Sequence, residues 1–428
     1  MSIARSWATA RVVVLVLVGC TSHAPQARPA AVGPPQSRGV RSDPPTVCDD
    51  GFGTRASFAL DRESLRSRGA SGQLLAKLDE SPYRYFRMLG RQVAARTCYE
   101  LRDRRGQLPV VAVHGDAHVE QFVVTRASYG LEDFDQAGFG PAVVDLVRYG
   151  ASLHMACRAA SWPCDPDAAV SAFYAAYRSA LDAAPAASAP PTVVARLRAG
   201  VPQDHTAWLG WADALFRPLP ADDDAVCRGG FAEFVRIQSE IHPERLPEFF
   251  AIQRIGALEM GIGSALERKV LLRVRGPTDA PGDDVLLEAR QAPLPIAGEC
   301  VWRPTHGGSL HALLFMSLLG RRMPSIYGFV RLDESHETPG FWVQAWEPGY
   351  RELTVADVQS QTELEELASD AARQLAGHFW SRFPEILLPL QRRAQLEAFD
   401  ATRERATTLS RELAAEVVEE WERFRDSR

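Results

Sequence analysis

The sequence predicts an α+β protein in which a helical body is interrupted by a mostly β segment. Three observations carry this. Apolar residues recur at helical spacing over residues 58–104, 141–182 and from Arg351 onward. Strand-type runs gather between about 250 and 345, around turn-forming Gly and Pro. Hydrophobic residues fill 46% of 428 positions, enough to bury the cores of two or three domains or of one two-lobed unit. The formal net charge of −6 leaves no basic field of the kind that binds nucleic acid, so no nucleic-acid partner is expected.

Taken in order, the chain opens on a targeting segment. Arg5 and Arg11 supply a positive n-region ahead of a short apolar run, Val12 to Val18, too short to span a bilayer as a mature helix. Leu17-Val18-Gly19-Cys20 resembles a bacterial lipobox, which makes residues 1–19 a signal peptide and Cys20 the acylated mature N-terminus. The expected partner is therefore a lipid membrane. With Thr21 rather than Asp after the cysteine, the expected address is the cell envelope, on the outer membrane facing the periplasm. Residues 20–50 are rich in Pro, Ala, Ser and Gly and read as a tether.

Residues 51–245 read as a mostly helical lobe. Ser81-Pro82 opens a helix carrying Tyr85, Phe86, Met88 and Leu89. Val110 to Val113 and Gln121 to Thr125 are short strands on either side of a polar turn, and the helical stretch at 141–182 breaks at Trp162-Pro163. Cys157 and Cys164 flank that break and form the expected local disulfide; the six cysteines after Cys20 permit fifteen full connectivities. Residues 246–350 form the β-rich lobe, with strands at Val270 to Val274 and Val285 to Ala289 around the loop Gly276 to Gly282. Residues 351–428 return to helix and complete the helical lobe, Leu409, Leu413, Val417, Trp421 and Phe424 marking an apolar stripe.

The chemistry concentrates in His114-Gly115-Asp116-Ala117-His118, after an apolar strand, and in Glu132-Asp133-Phe134-Asp135. Carboxylates this close repel one another unless a cation, a proton or arginines compensate. Asp and Gln oxygens suit magnesium, whereas alternating His114, Asp116 and His118 would suit a first-row metal in a hydrolase. The plain structural alternative is a polar turn whose carboxylates cap helices and pair with Arg148.

These residues resemble the catalytic segment of aminoglycoside-phosphotransferase-type kinases and, more closely, a bacterial domain of unknown function, family 2252. The resemblance rests on Ser81-Pro82-Tyr83-Arg84-Tyr85-Phe86-Arg87, Gly115 to His118, Asp133 to Asp135, Asp145-x-x-Arg148-x-x-Ala151-Ser152, and Gly261-Ile262-Gly263-Ser264. It implies a protein-kinase-like two-lobed fold with circularly permuted motif order, because the glycine-rich hairpin follows Asp116 by 145 residues. It also implies roles: Asp116 as the base toward an acceptor hydroxyl, Asp133 and Gln121 on magnesium, and Asp145 as the tie between turn and helix. Arg290, Gly261, Gly263 and Ser264 would hold phosphate or nucleotide, with His114, His118, Asp135, Arg148 and Arg87 in support.

Three departures stand out. Gln121 replaces an Asn, Arg290-Gln291 replaces a Lys-Glu pair, and the hairpin lacks its third glycine. Only Lys77 and Lys269 are lysines, and Lys269, one strand before Arg290, is expected to face solvent. The functional expectation is a weakened or ligand-binding kinase-like lipoprotein for an unidentified small or envelope ligand. An active magnesium-dependent phosphotransferase and a metal-dependent hydrolase are the alternatives.

Overall fold

The structure, a computed structural model, describes residues 55–184, 189–201, 204–262, 265–291, 300–302, 315–316, 319, 324–330, 340–380 and 388–427. The signal segment, Cys20 and the tether lie outside the described residues, as do Gly263 and Ser264. Among the described residues no helix is long and apolar enough to cross a membrane.

Four helices lead: α1 (Arg62–Ser67), α2 (Gly72–Glu80), α3 (Pro82–Arg87) and α4 (Gly90–Glu100). Ser71 and Ser81 begin α2 and α3 because their hydroxyls accept from Leu74 N and Arg84 N, at 3.1 and 3.2 Å. Pro82 sits in the first turn, where its missing N–H leaves no bond unmade. Short strands β1 (Val110–Val113), β2 (Phe122–Val124), β3 (Tyr129–Leu131) and β4 (Gly138–Pro141) follow. β1 pairs with β4 and β2 with β3, all antiparallel, which folds the two acidic turns toward each other.

Next come α5 (Val143–Ala159), α6 (Pro166–Asp182), α7 (Thr192–Ala199) and α8 (His205–Asp213). β5 (Phe216–Arg217) and α9 (Ala221–Ile241) lead into β6 (Ile252–Leu258), β7 (Lys269–Val274), β8 (Val285–Gln291), β9 (Tyr327–Val330) and β10 (Phe341–Ala345). β11 (Arg351–Glu352), α10 (Gln361–Gly377) and α11 (Leu388–Asp426) close the chain. Strands β5-β6-β7-β8-β10-β9 form one antiparallel sheet in that order. β11 joins β2 and β3, so the chain leaves the large sheet and at once stitches itself to the strands beside the acidic turns. The α+β class expected from the sequence is the class observed.

The helical body packs around α5, whose Tyr149 stacks on Phe173 at 4.6 Å and whose Arg148 is fully buried. α11 crosses α5 at Gly150, where a methyl group would stand 2.5 Å from Ser410 Oγ, so only glycine admits the crossing. The large sheet buries both faces. Val270, Leu272, Leu287, Ala289 and Val343 pack on Phe231 and Phe234 of α9. Leu258, Leu271 and Leu286 pack on Trp208, Leu209 and Trp346. Double burial explains why these strands read as continuous apolar runs rather than alternating ones.

Cys157 and Cys164 are joined across the Trp162-Pro163 break. A second disulfide, Cys98–Cys300, ties α4 to a segment beyond β8. Beside it Trp302 exchanges both backbone hydrogen bonds with Phe139 of β4, at 2.9 and 2.8 Å. The two parts of the molecule are thus locked together covalently and by pairing next to the acidic turns.

Candidate functional site

β1 delivers the chain into the turn His114 to His118, which Asp145 holds from the first turn of α5. One Asp145 oxygen accepts from His114 N at 2.7 Å and the other from Gly115 N at 2.8 Å. Gly115 has φ +79° and its α-carbon abuts the Gln136 carbonyl, so both conformation and space require glycine. His114 Nδ1 accepts from Asp116 N at 3.3 Å, so Nε2 carries the proton and donates to Glu132 O at 2.9 Å. Both ring nitrogens of His114 are thus engaged by backbone, and neither is available to a metal. Asp145 thus ties the turn to α5 through both carboxyl oxygens.

Asp116 is 3% exposed and forms an ion pair with the buried Arg148, whose guanidinium lies 4.4 Å over the Phe86 ring. Gln121 Nε2 donates to Asp116 Oδ2 at 3.2 Å. Gly90, at the start of α4, makes room for this carboxylate: a methyl there would come within 2.9 Å of Asp116 Oδ1. Burial raises the Asp116 carboxyl to about 6, against the opposing pull of Arg148. Burial, Arg87 and Arg148 push His118 well below the usual imidazole value. His118 is therefore neutral, and its 3.9 Å approach to Asp116 is not an ion pair.

The second turn centres on Asp133, the one non-glycine residue with positive φ among those described, at φ 69°, ψ 64°. Aspartate is among the few side chains that tolerate this region, and such strain gathers at functional positions. Asp133 forms an ion pair with Arg290 of β8, and the same Nη1 lies 3.5 Å from Asp135 Oδ2. The other edge of the fork holds Glu288, at 3.0 Å. Burial works to raise the Asp133 carboxyl, yet Arg290, Lys269 and His114 together hold it below the ordinary range. Burial and the neighbouring Asp133 charge push Asp135 well above it. Of the pair, Asp133 is the one whose surroundings favour the charged form. Asp133 also reaches the open side: its side chain is 28% exposed against 3% for Asp135.

Lys269 departs from expectation. It is 6% exposed, not solvent-facing. The register of β7 on β8 sets it directly opposite Arg290, so the two cations share one face of the sheet. Its Nζ donates to Met260 O at 2.9 Å. Burial and Arg290 lower its pKa, against Glu288, Asp133 and Glu267.

Between the sheet and the acidic turns lies a cleft lined by Arg87, Gln121, Asp133, Gly261, Lys269 and Arg290 among others. An adjoining hollow is lined by Thr125, Ser128, Glu132, Gln344, Trp346 and Tyr350. Trp346 joins the two, stacked on Tyr350 at 4.9 Å and donating to Glu288 Oε2 at 2.9 Å. Arg87 stands at the rim, 3.1 Å from Glu120, whose other oxygen accepts from Val355 N at 3.0 Å. Asp116 lies behind the lining, reached through Gln121.

Of the residues expected on magnesium, Asp133 turns to Arg290, and Gln121 gives its amide nitrogen to Asp116. Among the described residues no three His, Cys, Asp or Glu side chains converge in metal-ligating geometry.

Lys269, Glu288 and Gly90 were not singled out from sequence as parts of the site. A signal for the first two was present. Counting the strands outward from the Gly276–Gly282 loop brings Lys269 opposite Arg290, and Glu288, two residues earlier, falls on the same face. Gly90 had no comparable signal, because its role is a contact between distant segments.

Residues 74–207 match the model of a family described as an uncharacterized protein conserved in bacteria (DUF2252). The match spans the Ser81-Pro82 segment, both acidic turns and the Asp145 helix, and it supports the resemblance drawn from those motifs; β6 to β10, with Lys269 and Arg290, lie beyond it. No curated protein and no solved structure matches the chain.

Proposed function

We propose that this chain is a kinase-like, lipid-anchored envelope protein whose inter-lobe cleft binds a phosphate-bearing small molecule, in a weakened phosphotransferase-type site. One observation carries the reading: Asp133 and Arg290, 157 positions apart, meet in a single ion pair at the cleft, with Asp116 directly behind. The motif resemblance calls for that meeting of catalytic turn and cation strand, in the reversed chain order that a permuted two-lobed fold entails. Phosphate recognition needs positioned positive charge in a partly dry site, and Lys269 and Arg290 supply it from adjacent strands.

The weakening lies in Asp116. A base that abstracts a proton must reach the acceptor hydroxyl. Here the carboxylate is enclosed by Arg148, Gln121 and His118. Binding is retained in this reading and turnover is low. The anchor at Cys20 holds the cleft at a membrane surface, where its ligand would be an envelope component or a small molecule beyond the inner membrane.

Calorimetry on the detergent-solubilised full chain, with ATP and inorganic pyrophosphate as probes, tests this. Wild type should bind at least one of them, and Lys269→Met should weaken binding by about tenfold or more. Arg217→Gln, on the exposed edge strand, should leave it unchanged. A wild-type chain that binds neither probe would reject the reading. Rapid probe hydrolysis or transfer would restore the active-phosphotransferase alternative.

A further inference from the structure

We infer that the Arg290 guanidinium stands where a divalent cation would sit between Asp133 and Asp135, leaving Lys269 to meet the incoming phosphate and making binding in the cleft independent of metal. The inference rests on the phosphate-binding reading for its second half and on geometry alone for its first.

The fork of Arg290 is held on both edges. Nη1 faces Asp133 and Asp135 of one turn, and Nε and Nη2 face Glu288 of its own strand. A lysine at this position would present a compact ammonium on a flexible stem, able to swing aside or lose its proton when a metal arrives. Arginine does neither. Its charge is permanent, and its partners here raise its pKa further despite burial. A divalent ion seated between Asp133 and Asp135 would have to approach a fixed positive charge at close range.

Lys269 and Arg290 both face the Asp133 and Glu288 side chains. Of the two cations, Arg290 is the one surrounded by carboxylates. Lys269 makes its described hydrogen bond to a neutral carbonyl, Met260 O, and lines the cleft. It is therefore the charge that an oxyanion can engage without displacing a carboxylate.

Manganese titration followed by electron paramagnetic resonance tests the first half on the full chain in detergent at neutral pH. Wild type should retain no stoichiometric Mn²⁺. Arg290→Ala should gain one site, and adding Asp133→Asn should remove it. A wild-type Mn²⁺ site that Asp133→Asn abolishes, or an Arg290→Ala chain that gains none, would overturn the inference. The second half is read by calorimetry with ATP and pyrophosphate. Affinity should agree within about twofold between EDTA and millimolar Mg²⁺, and fall about tenfold in Lys269→Met. This comparison uses wild type and keeps the inference falsifiable should Arg290→Ala fail to fold. Binding that appears only with Mg²⁺ would overturn the inference while leaving the phosphate-binding reading intact. Absence of probe binding under both conditions would overturn that reading instead, with the Mn²⁺ result still judging Arg290.

Discussion

Asp145 shows how much of the site a single carboxylate can fix. Each of its oxygens accepts one backbone N–H of the turn that carries Asp116, at 2.7 and 2.8 Å, inside a buried pocket. Asn is nearly the same shape but offers one acceptor, and its NH₂ would face an N–H. Asp145→Asn should therefore cost about 1–3 kcal/mol in urea denaturation, the expected range for leaving a buried donor unsatisfied. A loss below about 0.5 kcal/mol would show that the turn holds itself. This residue was legible because the family resemblance places an Asp there, although it lies 31 positions from His114. Lys269 was not, because whether a strand side chain faces solvent or a cleft depends on register, and a slip of one residue reverses it.

At the scale of elements, the strands and helices were legible and their joints were not. The apolar runs of β7 and β8, the break between α5 and α6, and the stripe on α11 all follow from local patterning. That β11 pairs with β2, or that α9 covers the large sheet, depends on chain paths no local pattern encodes. The Cys98–Cys300 crosslink belongs to the same class, since nothing near either cysteine marks its partner. It spans 202 residues and joins the helical body to the sheet-bearing part. The Cys98→Ala, Cys300→Ala double variant should lose about 2–5 kcal/mol of stability and separate into two unfolding steps in calorimetry. Retention of one transition at the wild-type temperature would show that β11 and the Phe139–Trp302 pairing suffice.

Over the whole molecule, buried acids set the pH response. Burial raises Asp116 to about 6 and Asp145 to about 7, from an ordinary 3.8, and pushes Asp135 upward as well. Asp116 faces Arg148, Arg87 and Asp133, and Asp145 faces Asp116 and Arg148; none of these reverses the net direction. Between about pH 4 and pH 7 these acids hold protons in the native chain that the unfolded chain has released, a contribution that declines as pH rises. It outweighs His118 and His154, which burial lowers and which work the other way below about pH 6.5. Asp133, held below the ordinary range, works the other way only in stronger acid. The melting temperature should be higher near pH 5 than near pH 7.5, and Asp116→Asn should flatten the part of the slope around pH 6. A melting temperature that climbs steadily from pH 5 to 7.5 would contradict this assignment. The α+β class and the acidic turns were readable from composition and spacing. The closing of the cleft was not, because it joins residues far apart in the chain, Asp133 and Arg290 among them.

The bond between Cys98 and Cys300 has one more effect. It closes a covalent ring of polypeptide, and Asp116, Asp133, Asp145, Lys269 and Arg290 all lie within it. A single proteolytic nick anywhere inside that ring leaves one molecule rather than two fragments. Every charged residue of the cleft would stay tethered to its partners after a cut that would otherwise separate them.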